Sequence, residues 1–429
     1  MTNRPARLLK QIDRSGGGLP TDLLLYAISA VFALLTALTS TLLPHRAWGA
    51  TAVWAYGVGL LAAATQYLIF SRRPSPSTAP LPILAWRAGL SWIVWAGAAL
   101  LPLVVEAVQR AGGRADRAQE EVLVVERMGE RLLHDGTPYL GRDMIAALPA
   151  DERLMAYSPY QPGMAVFGLP RAVFGDFWWT DARVWFAIVT AAALIGAVRL
   201  LGPLRSATVR AIQAVTVLPI CALTLATGGD DIPVLALCLL ALALVATRRH
   251  GWAGVAAGAA GACKLFAFPV IAVLVVLALA VRRGRLLLPG AIGLPILVLI
   301  PPALVNADAF TENVLRFPLG HGLVTSPAQS PFPGYLIAQN VPGGRIIAAA
   351  LLVAVAGLIT VRIVRRPPRT ASEAALITGL GLLAAILLMP TTRFGYLLYP
   401  IAFLVWAAAL ASSVKPVHSN HTATSAPAA

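Results

Sequence analysis

Charge is what this sequence lacks most. Only 12% of its 429 residues are Asp, Glu, Lys or Arg, while 58% are hydrophobic and mean hydropathy is +0.74. A soluble globular chain carries about a quarter charged residues. So few polar side chains cannot cover a water-soluble globule, which excludes both a soluble enzyme and a disordered chain. Strict apolar–polar alternation is also missing, which excludes an outer-membrane barrel. Cysteine is nearly absent. Cys221, Cys238 and Cys263 lie in or beside apolar runs, at spacings that no zinc site uses, and read as small buried hydrophobes. Lysine is rarer than a basic chain would suggest: Lys10, Lys264 and Lys415 stand against 31 arginines. No internal repeat is visible. No cleavable leader is expected, because Arg4, Arg7, Lys10 and Arg14 precede an apolar run too long for a signal core.

What is present is a series of apolar runs near the 20-residue length that a helix needs to cross hydrocarbon. They predict an all-α polytopic membrane protein, with spans at 23–43, 51–70, 84–106, 184–202, 208–227, 232–247, 286–305, 345–363, 373–389 and 396–412. Residues 252–281, interrupted by Lys264 and Pro269, fit one kinked span or a hairpin of two shorter helices. The net charge of +15 falls mainly in clusters between the runs, which is the positive-inside pattern rather than a nucleic-acid stripe; no nucleic-acid partner is expected. These clusters are Arg4/Arg7/Lys10/Arg14, Arg72/Arg73, Arg205/Arg210, Arg248/Arg249, Arg282/Arg283/Arg285, Arg362/Arg365/Arg366/Arg369 and Lys415. All fall on one side only if residues 252–281 enter and return. The hairpin reading gives about 10–12 transmembrane helices with both termini cytoplasmic. It divides the chain into a cytoplasmic segment 1–22, a membrane domain 23–412 and a disordered cytoplasmic tail 413–429.

The acidic residues sort independently. The segments placed outside (107–183, 228–231, 306–344 and 390–395) hold 15 of the 19 Asp and Glu residues. Orientation rules rest on Lys and Arg alone, so this segregation points to carboxylate chemistry or cation binding on the outer face. Residues 107–183 form the first large outer loop and 306–344 the second. Within the first, 121–134 reads as an amphipathic helix lying in the membrane interface, with Val122, Val125, Met128 and Leu132 on one face. The proline-rich stretch YSPYQPGMAVFGLPRAVFG reads as interfacial or re-entrant.

Glu120 and Glu121 open that helix, as simple caps or as a general base at the membrane surface. Asp230 and Asp231 follow Gly228–Gly229 in a tight turn and suit a helix cap, acceptor hydroxyls or a cation. Lys264, mid-run at the hairpin tip, is costly there and is a functional candidate by default; its point-charge ammonium suits a phosphate. Arg393 lies in the last outer turn, and Arg316 and His321 in the second outer loop. With Lys264 they could form a cationic phosphate site.

These residues sit in a recognisable order. GERLLHDGTPY (129–139) followed by AYSPYQPGMAVFGLP (156–170) resembles the corresponding stretch of glycosyltransferase family 87. GWAGVAAGAAGACKLFAFP (251–269) is similar to that family as well, and the resemblance runs from about residue 84 to 412. The family comprises GT-C-class transferases that use polyprenyl-phosphate sugars, typified by actinobacterial mannosyltransferases. It implies a GT-C-like bundle and a hexosyltransferase of the plasma membrane, acting on the outer face. Glu121 stands where the family's catalytic Asp opens the helix, and Val125 where it has Tyr, which keeps Glu120 and Glu126 as alternative bases. Asp230 replaces Gln and Ile232 replaces Asn in the family's turn, and Lys264 matches without change.

The resemblance implies inverting transfer from a polyprenyl-phosphate sugar, with mannose the default, to a glycolipid or cell-wall glycan acceptor. Glu121 would be the base. Lys264, Arg393 and Arg316 would bind the donor phosphate. Asp230, Asp231, Tyr139, Tyr160 and His321 would bind acceptor or sugar. No cofactor and no metal ligand are expected, and membrane lipids are the remaining partners. The competing reading is a transporter or flippase for a lipid-linked sugar, which would show inverted repeats.

Overall fold

The structure, a computed structural model, describes residues 17–71 and 81–412. The expected clusters at Arg4–Arg14, Arg72/Arg73 and Lys415, and the tail 413–429, lie outside the described residues. The rest is helical: α1 (Leu19–Thr39), α2 (Leu43–Ser71), α3 (Leu81–Ala111), α4 (Glu120–Asp135), α5 (Ala182–Leu200), α6 (Ser206–Thr216), α7 (Pro219–Thr227), α8 (Asp231–Ala246), α9 (His250–Cys263), α10 (Phe268–Ala280), α11 (Gly284–Val305), α12 (Gly344–Arg365), α13 (Ala371–Leu388) and α14 (Leu398–Ser412). Among the described residues the only β pairing is one isolated bridge, Gln329 with Thr392.

Among the described residues eight helices are long and apolar enough to cross a membrane, α1, α2, α3, α5, α11, α12, α13 and the stretch containing α14, or nine if the bent pair α6–α7 is one span. Their outward faces are apolar. On α12 Ile346, Val353, Leu358 and Val364 are all exposed, a surface that water would not tolerate and lipid does. The chain is a multi-pass membrane protein.

Prolines decide where helices break. The expected continuous span 208–227 is instead two helices, α6 and α7, bent by 41°. Pro219 has no N–H to continue the ladder, and the Val217 carbonyl accepts the Tyr56 hydroxyl at 2.8 Å. In α3, Pro102 cannot donate to Ala98, so the helix opens into a π turn at Ala96–Leu100 and Trp48 Nε1 donates to the Ala98 carbonyl at 2.7 Å. Asp22 of α1 joins three elements: it accepts from Arg87 of α3 at 2.6 and 3.0 Å, from Gln213 of α6 at 2.9 Å, and pairs with Arg210.

At the centre lie α8, α9 and α10. α8 is apolar and buried almost all round, as a core helix must be. Its 16 residues reach about 24 Å, short of a hydrocarbon core of ~30 Å. Residues 252–281 are two helices divided at Lys264. The starts of α9 and α11 line one groove, so the chain runs in along α9, turns at Lys264 and returns on α10, as the hairpin reading requires. α9 and α11 cross with almost no gap. A Cβ at Gly254, Gly258 or Gly290 would overlap the facing backbone.

The first large loop, 107–183, differs from expectation in one respect. α4 forms where the pattern places it, but its apolar face does not meet lipid. Val122, Val125 and Met128 are fully buried, packed under the turn Pro162–Phe167 and the short helix Leu169–Phe174. The proline-rich stretch expected to be interfacial covers the stripe itself.

Candidate active site

α7 ends in the turn Gly228–Asp230, and Gly229 adopts φ +82° so that the chain can reverse into α8. The turn delivers Asp230 and Asp231 to the point where α9 ends. Lys264 closes α9 with its amide on the Ala260 carbonyl at 3.1 Å, then leaves in an extended conformation. Its Nζ lies 2.6 Å from Asp230 Oδ2 and 2.6 Å from Asp231 Oδ1. All three residues are buried. The Tyr399 hydroxyl donates to Asp231 Oδ1 at 2.8 Å. The Tyr160 and Tyr396 rings face the ammonium at 5.2 and 5.8 Å, and Phe266 stacks on Tyr399. The ammonium occupies the place between the two carboxylates where a cation would sit.

Beside it is a second pair. Glu121, in the first turn of α4, is ion-paired with Arg393. Two contacts set its position. The Gln119 amide donates to the Thr227 carbonyl at 2.9 Å, and the Thr227 hydroxyl to Gln119 Oε1 at 3.0 Å. The start of α4 is thereby tied to the turn that carries Asp230. Arg393 follows Thr392, which is pinned to the second outer loop by Ala328 and Ser330. Tyr160 lies between the two groups. Burial pushes its phenol well above the ordinary value, and the negative charges of Asp230, Glu121 and Asp231 act the same way. Its own carbonyl accepts from Tyr139 at 2.7 Å, and the neighbouring Gln161 amide donates to the Cys263 carbonyl at 3.1 Å. The Tyr160 loop is thus attached to the end of α9.

The structure therefore brings together Glu121, Arg393, Tyr160, Asp230, Asp231 and Lys264, with Tyr139 behind them. It does not bring Arg316 and His321 to that group, and the single cationic site expected from Lys264, Arg393, Arg316 and His321 does not form. Arg316 pairs with Asp308 at 3.3 Å and Glu312 at 3.4 Å. His321 is exposed, and its carbonyl accepts from Arg142. Both belong to a cluster that fastens the second outer loop to the first. In it the buried Glu312 accepts from Arg142 at 2.9 Å and from the Tyr157 hydroxyl at 2.7 Å. Burial would raise the Glu312 carboxyl, but the hydrogen bonds from Tyr157 and Arg142 outweigh it and hold the group below its ordinary value.

The alternative bases separate as well. Glu120 is exposed. Glu126 is buried, held by both nitrogens of the Arg110 fork at 2.7 and 2.5 Å, with Arg171 at 3.3 Å. Arg110 also reaches Asp181 at 2.9 Å, which Arg183 holds in turn. Burial would raise the Asp181 carboxyl; the Arg183 and Arg110 guanidiniums hold it far below the usual range. Glu126 thus anchors α4 to α3 and α5.

The site also includes residues that pattern reading passes over. Tyr396 and Tyr399 lie three apart in FGYLLYP, a spacing that puts both on one helix face. The side chain of His45, at the start of α2, faces Gln119 and Glu121. Among the described residues no three His, Cys, Asp or Glu side chains converge as metal ligands.

Comparison with known proteins agrees with this arrangement at the level of family. No curated protein and no solved structure matches the chain. Residues 158–390, which hold Tyr160, the Asp230–Asp231 turn, the Lys264 hairpin and the whole of the 306–344 loop, match Glycosyltransferase family 87. That match spans more than half of the 429 residues, and the chain belongs to this family.

Proposed function

We propose that this membrane glycosyltransferase moves a sugar, mannose by default, from a polyprenyl-phosphate donor to a glycolipid or cell-wall glycan acceptor on the outer face of the plasma membrane. The observation that carries the reading is the Glu121–Arg393 pair beside the buried Lys264 triad. It sets one carboxylate and one half-exposed guanidinium beside that buried group. A base and a phosphate-binding cation are the two groups that sugar transfer from a phosphate donor needs.

Glu121 takes the proton from the acceptor hydroxyl. That oxygen bonds to the anomeric carbon from the face opposite the phosphate, and the anomeric carbon–oxygen bond to phosphate breaks with inversion. Polyprenyl phosphate departs with the electron pair. Arg393 meets its charge, the kind of electrostatic contribution that is usually largest in catalysis. Lys264 is already answered by two carboxylates, so its part is to hold Asp230 and Asp231 in place for acceptor or sugar hydroxyls. Tyr160 supplies a ring face between the two groups.

Membranes containing the protein, supplied with polyprenyl-phosphate mannose, test this. Glu121→Gln should abolish transfer while protein level holds. Full activity in that variant would remove Glu121 as the base.

A further inference from the structure

Five arginines close two successive turns at the opposite end of the central helices from Lys264: Arg248 and Arg249 after α8, and Arg282, Arg283 and Arg285 after α10. The two turns are built alike. The Arg248 and Arg249 amides donate back to Val245 and Leu244, and the Arg282 and Arg283 amides to Leu279 and Ala278. This helix ending places one residue in the left-handed region, a position normally given to glycine. Here it is filled by Arg248 at φ 61° and Arg282 at φ 57°, the two non-glycine residues with positive φ among those described. Strain of this kind, where glycine would remove it, marks a position held for its side chain.

The five guanidiniums also stand apart from the other arginines. Arg87, Arg110, Arg183, Arg316 and Arg393 are each ion-paired. Among the described residues, none of the five at this end makes an ion pair or a side-chain hydrogen bond. Beside Arg248 and Arg249 a groove of about 490 Å³ opens between α9 and α11. His250 and Gly251 complete its polar end, and its outward-facing wall is apolar: Trp252, Val255, Leu286 and Pro289 line it, and Trp252 is 70% exposed. Gly290, which meets α9 in the tight crossing with Gly254, lines its closed side.

We infer that this groove binds an anionic membrane phospholipid, with the headgroup phosphate on Arg248 and Arg249 and an acyl chain along Trp252, Val255 and Leu286. Guanidiniums match phosphate oxygens with paired hydrogen bonds. Basic pockets between transmembrane helices suit anionic headgroups, and an exposed tryptophan suits the headgroup level. The apolar wall separates a lipid from a free phosphate: a small anion would use the arginines and leave Trp252, Val255 and Leu286 uncovered. The inference does not depend on the transferase mechanism.

The test reconstitutes the full chain in phosphatidylcholine nanodiscs with and without phosphatidylglycerol, and reads thermal unfolding and retained lipid by native mass spectrometry. Phosphatidylglycerol should raise the unfolding temperature of the wild type. R248G/R249Q should bind it about thirtyfold more weakly, because glycine fits the left-handed turn while both charges are gone. In phosphatidylcholine alone this variant should unfold at or above the wild-type temperature. If that variant fails to fold, R249Q alone at the exposed neighbour gives the same reading with a smaller loss. Soluble glycerol phosphate should have no effect. The inference is overturned by a wild type indifferent to phosphatidylglycerol, by variants that keep the full effect, or by glycerol phosphate reproducing it.

Discussion

Glu121 and Arg393, 272 residues apart in the chain, are ion-paired at the start of α4. The contact joins the first large loop to the turn before α14. It also means that the proposed base and the proposed phosphate ligand occupy each other until substrate arrives. A donor phosphate that draws Arg393 away would free Glu121 to accept a proton, so donor binding and base activation become one event.

This coupling gives Glu121→Gln a second signature beyond lost activity. Losing a general base lowers transfer by about 10²–10⁴-fold. Arg393, no longer held by a carboxylate, should bind polyprenyl phosphate more tightly. A partly exposed ion pair is worth about 0.2–1 kcal/mol, so the gain should be roughly 1.5–5-fold. Titration of polyprenyl phosphate into the purified variant in nanodiscs measures it. An affinity equal to or below that of the wild type would break the link between the two residues.

Arg393→Gln should act on the donor. A hydrogen bond to a charged group contributes about 1.5–3 kcal/mol, so the donor KM should rise about 10–100-fold. The acceptor KM should stay near its wild-type value, and Arg393→Lys should recover part of the loss. Steady-state kinetics with donor and acceptor varied separately would show this split. A donor KM that stays put would mean that Arg393 serves only to position Glu121.

Lys264 should matter first for folding. Its ammonium is buried against Asp230 and Asp231, so Lys264→Met leaves two carboxylates facing each other without a counter-charge. Removing one partner of a buried ion pair costs about 3–5 kcal/mol, whereas replacing the whole group by neutral residues of similar volume is often tolerated. Thermal unfolding in detergent should show a large loss for Lys264→Met and recovery of most of it when Asp230→Asn and Asp231→Asn are added. Activity should not return with the fold, because the carboxylates are gone. A single variant as stable as the wild type would mean that the triad is not the buried group described here.

How much of this could be read in advance follows from what each residue reveals about itself. The eight long spans are legible because lipid imposes length and apolarity on each of them, whereas the shorter α8 and α10 show only as apolar runs. Lys264 was legible as a lone lysine inside an apolar run. Its partners were not: Asp230 lies 34 residues away, and nothing in the local pattern says which carboxylates the hairpin tip will meet. Arg316 and His321 were grouped with Lys264 because they share an outer side. Side is not proximity, and Glu312, read only as one more outer acid, claims Arg316 instead. Glu126 fell on the polar face of α4 by periodicity, but Arg110 and Arg171 reach that face and bury it. Tyr399 gives no signal in the sequence, because an aromatic inside a span has no visible partner until the Asp231 turn is folded against it.

Glu312 predicts how acid loosens the outer loops. Its folded-state pKa lies below its ordinary value of 4.5. A carboxyl depressed on folding contributes stability that is present above the unfolded-state pKa and is lost as pH falls through the folded-state pKa. The wild type should therefore hold its advantage over Glu312→Gln at neutral pH and lose it progressively below about pH 4.5. There the carboxyl protonates and its bonds to Arg142 and Arg316 lose their charge. The difference should be local. Limited proteolysis in the 306–344 loop should report it directly, while thermal unfolding of the helical bundle should change much less. A gap between the two proteins that persists unchanged into acid would show that shape rather than charge holds this loop. A gap that widens in acid would reverse the sign of the assigned shift.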